Sequence, residues 1–148
     1  MQGTTSFKHL FLLKFILWLF IARVVCQLIQ YISPIDYLPE FDQWHSGVLP
    51  YRHLIILQLV IITWCIVIIR GVKMGTITPS FSKAIFLFSF GILYFCLMLL
   101  RLIAGFTFAD DASWLNHPLP TLFHILLSIF ILCHGHYHWQ YRVSNYVL

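Results

Sequence analysis

Five polar side chains interrupt the apolar stretches of this chain at similar depths. They are Arg23, Gln27, Gln58, Arg101 and His124. Counted from one end of each stretch, four of them lie roughly 8–11 Å deep at 1.5 Å per helical residue, and Arg23 lies about one turn deeper. Ionisable side chains are rare inside membrane spans, where they face the protein interior and often mark a functional site. The pattern therefore predicts one shared polar site inside a helical membrane domain.

The composition of this set indicates what kind of ligand it would bind. None of the five acidic residues of the chain falls within an apolar stretch, so no carboxylate there balances the two arginines. A buried guanidinium without a partner is costly. Arginine also binds oxygen acceptors through directed N–H groups. We therefore expect a carboxylate, a phosphate, a haem propionate or a quinone carbonyl at this site, or else a water-filled cavity.

Histidines offer a second kind of chemistry, the ligation of haem iron. His124 and His138 lie fourteen residues apart on one helical face, which is about 21 Å along the axis. This spacing resembles that of transmembrane cytochromes b, in which histidines on facing helices hold two haems. The resemblance covers one helix only, since no other helix repeats the pair. The resemblance implies that His53 and His124 together ligate one haem. Near the other end, His9 would pair with His138 or His134.

Four apolar stretches must position these residues. They cover residues 10–32, 51–69, 84–108 and 118–137. Each is close to the ~20 residues that cross a bilayer, and a lipid-facing segment must satisfy its own backbone as a helix. The chain is 60% hydrophobic and 9% charged, which excludes an ordinary soluble domain. We predict an all-α, multi-pass integral membrane protein in which residues 1–148 form one domain of four transmembrane helices.

The basic residues predict the orientation of this domain. One side carries most of them, namely Lys8, Lys14, Arg70, Lys73, Lys83 and Arg142, whereas the other side carries Arg52. By the positive-inside rule, both termini are expected to be cytoplasmic. Short connections favour an up-down-up-down bundle. The exception is residues 33–50, which we expect to form an irregular loop on the outer membrane surface. The expected location is a bacterial inner membrane or an equivalent organelle membrane.

Polar and small residues recur on one face of each helix, and these faces are predicted to be the seams between helices. On the fourth stretch the face comprises His117, Thr121, His124, Ser128, Ile131, Gly135 and His138. The third stretch presents Gly91, Tyr94, Met98, Arg101 and Gly105. The first presents His9, Arg23, Gln27 and Gln30, and the second presents Gln58 and Cys65.

Three hypotheses on function follow. The first is a membrane subunit for electron transfer that binds haem b or a quinone through Arg23, Gln27, Gln58, Arg101 and His124. The second is a non-catalytic accessory protein that binds anionic lipid or a partner helix. The third is an enzyme acting on a lipid headgroup, with His124 as base and Arg101 as electrostatic stabiliser. Common enzyme motifs are absent from the sequence, which favours a non-enzyme.

The expected surroundings of the chain are the lipid bilayer together with partner membrane subunits or further copies of itself. A nucleic-acid partner is not expected, because the sequence contains no run of five or more basic residues.

Overall fold

The computed structural model describes residues 2–44, 49–107 and 118–141. These residues form four long helices: α1 (Gln2–Ile32), α2 (Tyr51–Met74), α3 (Phe81–Thr107) and α4 (Pro118–Tyr141). Each helix contains a segment long and apolar enough to cross a membrane. The chain is thus an all-helical integral membrane protein, as its composition predicts.

Helix boundaries agree with the apolar stretches at Ile32, Tyr51 and Pro118, and the helices extend beyond the stretches at the start of α1, the end of α2, the start of α3 and the end of α4. α2 continues to Met74 and α4 continues to Tyr141. An apolar stretch stops at the first polar residues, but the backbone of a membrane helix can stay hydrogen-bonded through the interface. Three residues used in the sequence predictions lie outside the described residues, namely Phe108, His117 and Arg142.

The helices pack as a four-helix bundle that is open on one side. α3 packs along α4, α4 packs on α1, and α1 packs on α2. Within the described part of the chain, no close backbone contact joins α2 to α3. The space between these two helices, which we name the α2–α3 groove, has a volume of about 320 Å³. Its walls include Val60 and Trp64 of α2 and Leu87 of α3, and Phe130 and Ile131 of α4 form its floor.

Two glycines allow α3 and α4 to approach closely, at positions that the seam pattern predicts. A Cβ atom at Gly91 would lie 2.7 Å from Leu132 Cδ2. A Cβ atom at Gly135 would lie 3.1 Å from Leu87 Cβ and 3.5 Å from the backbone nitrogen of Phe88. Small residues of this kind let membrane helices pack backbone to backbone.

A tight turn joins α2 to α3 at what we name the basic end, which carries Arg70, Lys73 and Lys83. Gly75 ends α2 in the left-handed conformation, with φ 68°. Its N–H donates to the carbonyl of Val72 at 3.3 Å. Glycine suits this position because it has no Cβ to clash.

At the opposite end, which we name the loop end, the connection from α1 to α2 folds against the bundle. Phe41–Trp44 form one 3₁₀ turn that contacts α1 and α4, and Trp44 is buried. Trp44 thus packs into the bundle from a loop that the sequence predicts to lie on the membrane surface. Tyr31, Phe41 and Tyr51 form an aromatic cluster beside it, with ring centroids 4.6–5.3 Å apart.

Gly135→Leu tests the close contact between α3 and α4. A leucine side chain would have to displace Leu87 and the Phe88 backbone, and such overpacking costs about 1–3 kcal/mol. We expect a lower midpoint of thermal unfolding in detergent than for the wild type. Ser89→Leu is the matched control, because it adds volume on the exposed face of α3. An unchanged midpoint for Gly135→Leu, or an equal decrease for Ser89→Leu, would contradict this role of the glycine.

Candidate functional site

Three of the five predicted site residues line one cavity near the loop end. Arg23 of α1, Gln58 of α2 and His124 of α4 contribute its polar lining. The volume of this loop-end cavity is about 200 Å³. The remaining lining is largely apolar and comprises Phe20, Leu49, Leu54, Leu57, Ile61, Pro120, Phe123 and Leu127. The cavity is therefore apolar except where donors and acceptors from three helices meet.

Arg23 is the most strongly constrained of these residues. It is only 7% exposed, and its Nη2 donates a hydrogen bond of 2.5 Å to the backbone carbonyl of Trp44. Its guanidinium carbon also lies 5.2 Å from the centroid of the Phe123 ring, within range of a cation–π interaction. Nε of Arg23 is buried and donates no hydrogen bond to any residue that the structure describes. The carbonyl and the ring thus stabilise part of the guanidinium, and Nε remains a spare donor.

Trp44 in turn is fixed by its own loop. Its indole Nε1 donates to the carbonyl of Pro39 at 2.9 Å. Gln30, near the end of α1, accepts a hydrogen bond of 3.0 Å from the backbone N–H of Ile35. The loop is held at two points, so the Trp44 carbonyl is positioned in advance for Arg23.

Gln27 and Gln58 meet at the same depth, as their positions in the sequence predict. Gln58 Nε2 donates to Gln27 Oε1 at 3.0 Å, and both side chains are buried. Gln27 Nε2 and Gln58 Oε1 have no partner among the described residues. A buried polar atom without a partner costs about 1–3 kcal/mol. Gln27 does not line the cavity itself but holds the amide of Gln58, which does.

His124 is held from α3. Its Nδ1 lies 2.6 Å from the hydroxyl oxygen of Tyr94. When the phenol donates to Nδ1, the neutral imidazole carries its proton on Nε2 and is a hydrogen-bond donor there. Arg23 and Arg101 both interact electrostatically with His124. Arg101 is half-buried on α3 and does not line the cavity.

His124 is also exposed in the described structure. At this depth in the membrane, an exposed imidazole would face hydrocarbon unless something polar covered it. The exposure leaves the imidazole accessible from the cavity.

The predicted haem ligands are arranged differently from the proposed pairs. His9 Nε2 lies 3.2 Å from Nδ1 of His136, which was not one of its expected partners. The His134 and His138 rings lie 4.8 Å apart by centroid on α4, and His53 is exposed near the start of α2. Across residues 2–44, 49–107 and 118–141, no three His, Cys, Asp or Glu side chains group as metal ligands.

Two members of the site were missed by sequence reasoning about function. Tyr94 lies on the predicted seam of α3. The sequence therefore predicts that Tyr94 faces a neighbouring helix, but it does not predict the contact with His124. Trp44 contributes a backbone carbonyl, which any residue type could supply, and no sequence signal marks it.

Comparisons with known proteins add no further information. No protein-family model, curated protein or solved structure matches this chain significantly.

Arg23→Met tests whether Arg23 holds the loop. Hydrogen bonds to a charged group contribute about 1.5–3 kcal/mol. Without the guanidinium, we expect the backbone amides of residues 40–44 to exchange hydrogen for deuterium about tenfold faster, measured by mass spectrometry. Arg52→Met is the matched control, because it removes one positive charge from an exposed position on α2. Equal exchange in Arg23→Met and the wild type would show that the loop is held by other contacts.

Proposed function

We propose that the loop-end cavity binds the headgroup of a quinone, and that the chain is a quinone-binding membrane subunit for electron transfer. One observation carries the proposal: Arg23, Gln58 and His124 come from three different helices and line one largely apolar cavity. Ligand sites typically combine apolar walls with a few placed polar groups. The proposal keeps the predicted set, with Gln27 supporting Gln58 and Arg101 acting electrostatically on His124.

The polar groups of the cavity suit a quinone ring. The carbonyl oxygens of a quinone accept hydrogen bonds, which Arg23 and the Nε2–H tautomer of His124 can donate. The hydroxyl groups of the reduced quinol donate, and Gln58 supplies an acceptor oxygen. At about 200 Å³, the cavity favours a single ring over a haem macrocycle held there by His53 and His124.

The apolar surroundings suit the tail of the same molecule. Ile61 and Leu127 line both the loop-end cavity and the α2–α3 groove, so the two spaces adjoin. Because α2 and α3 make no close backbone contact in the described chain, the groove gives lateral access from the bilayer. A ligand dissolved in lipid can enter there without crossing water.

Electron transfer would need a second protein. A quinone becomes a quinol by taking up two electrons and two protons. The electrons would come from a redox-active partner subunit carrying haem or an iron–sulfur cluster. His124 would pass one proton from Nε2 to a ring oxygen and take one at Nδ1 from Tyr94. Water at the loop end would supply the second quinol proton and restore the Tyr94 hydroxyl. The exposed face of α3 is a suitable surface for such a partner, since only 6% of its most apolar segment is buried.

The proposal includes the orientation predicted from the charges, with both termini cytoplasmic. Contacts support the up-down-up-down order, because Gln27 near the end of α1 meets Gln58 near the start of α2. Leu87 near the start of α3 likewise lies beside Gly135 in the second half of α4. With both termini cytoplasmic, the cavity opens in the outer half of a bacterial inner membrane or an equivalent organelle membrane.

Binding of a short-chain benzoquinone tests the proposal. Titration of the protein in lipid nanodiscs by isothermal calorimetry should give saturable binding. His124→Phe and Gln58→Leu each remove one hydrogen-bonding group, at about 1 kcal/mol per bond, so each should weaken binding roughly five- to tenfold. Ser128→Ala is the matched control. Ser128 is buried on α4, the helix that also carries His124, and its hydroxyl donates to the backbone carbonyl of Ile125 at 2.7 Å.

Two results would overturn the proposal. One is no saturable binding by the wild type, or equal binding by His124→Phe and Ser128→Ala. The other is a haem absorption band in the purified protein, recorded oxidised and after reduction with dithionite. That band would assign the histidines to haem.

A further inference from the structure

A second pocket opens at the basic end of the bundle, between the start of α3 and the end of α4. This basic-end pocket has a volume of about 470 Å³. Its polar lining comprises Ser82, Lys83, His134 and His138, and Phe86 and Leu87 form an apolar side. It shares no lining residue with the loop-end cavity. None of the quinone-binding groups contributes to it, so its ligand must be considered separately.

His138 presents a hydrogen-bond donor to this pocket. It is 2% exposed, and its Nδ1 accepts a hydrogen bond of 3.2 Å from the backbone N–H of Ser80. A neutral imidazole that accepts at Nδ1 carries its proton on Nε2. The turn between α2 and α3 therefore fixes the tautomer of His138.

His134 adds an unpartnered polar atom. The side chain is 9% exposed, and its Nδ1 is buried without a hydrogen-bond partner among the residues described. Its ring packs edge-on against His138 at 4.8 Å. A neutral imidazole has one donor and one acceptor nitrogen, and leaving one of them buried and unused is costly. A bound group or water in the pocket would remove that cost.

The start of α3 makes the pocket favourable for an anion. The first backbone N–H groups of a helix have no partner within it, and the helix dipole places a partial positive charge there. Lys83 adds a full positive charge and Ser82 adds a hydroxyl donor. Asp36, Glu40 and Asp42, the acidic residues that the structure describes, all precede α2 and lie outside this pocket.

We propose that the basic-end pocket binds a phosphate group of net negative charge, as opposed to the zwitterionic headgroup of phosphatidylcholine, whose ammonium Lys83 would repel. The ammonium of Lys83, the hydroxyl of Ser82, the N–H of His138 and the first N–H groups of α3 are all donors, as a phosphate requires. A divalent metal fits less well, because the pocket offers two imidazoles beside a positive charge and a stable site needs three or four ligands. Two sources share this chemistry: the headgroup of an anionic phospholipid, whose chain can lie on Phe86 and Leu87, and free phosphate.

Retention of lipid by the full-length protein tests the inference. The protein is taken from nanodiscs containing equal parts of phosphatidylglycerol and phosphatidylcholine, and the lipids that stay bound are counted by native mass spectrometry. Lys83→Gln removes the charge of the pocket at an exposed position, so the fold is expected to survive. Lys73→Gln is the matched control, because it removes an exposed charge at the same end outside the pocket. The sample is measured with and without inorganic phosphate.

The expected result is that the wild type and Lys73→Gln retain phosphatidylglycerol at least fivefold over phosphatidylcholine, and that Lys83→Gln loses this preference. Displacement of the lipid by inorganic phosphate would identify the phosphate group alone as the ligand. Retention in its presence would identify the whole phospholipid. No preference in the wild type, or an equal loss in both variants, would overturn the proposal, since an equal loss indicates diffuse attraction to basic residues. The quinone titration measures a different pocket, so failure of the phosphate proposal would leave the quinone proposal standing, and the reverse also holds.

Discussion

The structure depends on how a guanidinium is accommodated inside an apolar bundle. Arg23 is buried in α1, and a charge at that depth must find polar or aromatic partners within the protein. It finds them in the carbonyl of Trp44 and the ring of Phe123. These two contacts fix the loop before α2 and join α4 to α1. One buried charge therefore determines how three parts of the chain meet, and the cavity lies where they meet.

The other contacts set the depth at which each helix meets its neighbour. The Gln27–Gln58 bond aligns α2 with α1, and Gly135 brings α3 against α4. Apolar surfaces alone could slide along one another, since lipid tails are as apolar as the side chains they would replace. Polar pairs and small residues remove that freedom. α2 and α3 lack a close backbone contact in the described chain, so the groove between them stays open.

Most of the fold can be predicted from the sequence, because local hydropathy defines each helix and the spacing of polar and small residues defines each seam. Gln27, Gln58 and Gly135 lie on predicted seams, and all three are buried there. What it could not provide were contacts that depend on the path of a loop. The partner of Arg23 is a backbone carbonyl, and every residue type has one, so the sequence does not identify it. His136 meets His9 although its helical position points away from His134, because a neighbouring helix can approach any face.

The packing order α2, α1, α4, α3 places the two polar sites at opposite ends of one apolar path. Ile61 and Leu127 connect the loop-end cavity to the α2–α3 groove, and Leu87 and His134 connect that groove to the basic-end pocket. A water-soluble ligand gains nothing from an apolar path that is open to lipid. An amphiphile gains burial for its chain along the groove, at about 25 cal/mol per Å² of apolar surface, and hydrogen bonds for its headgroup at either end. The same geometry supports both proposals, because an amphiphile in the bilayer could reach either site along this path.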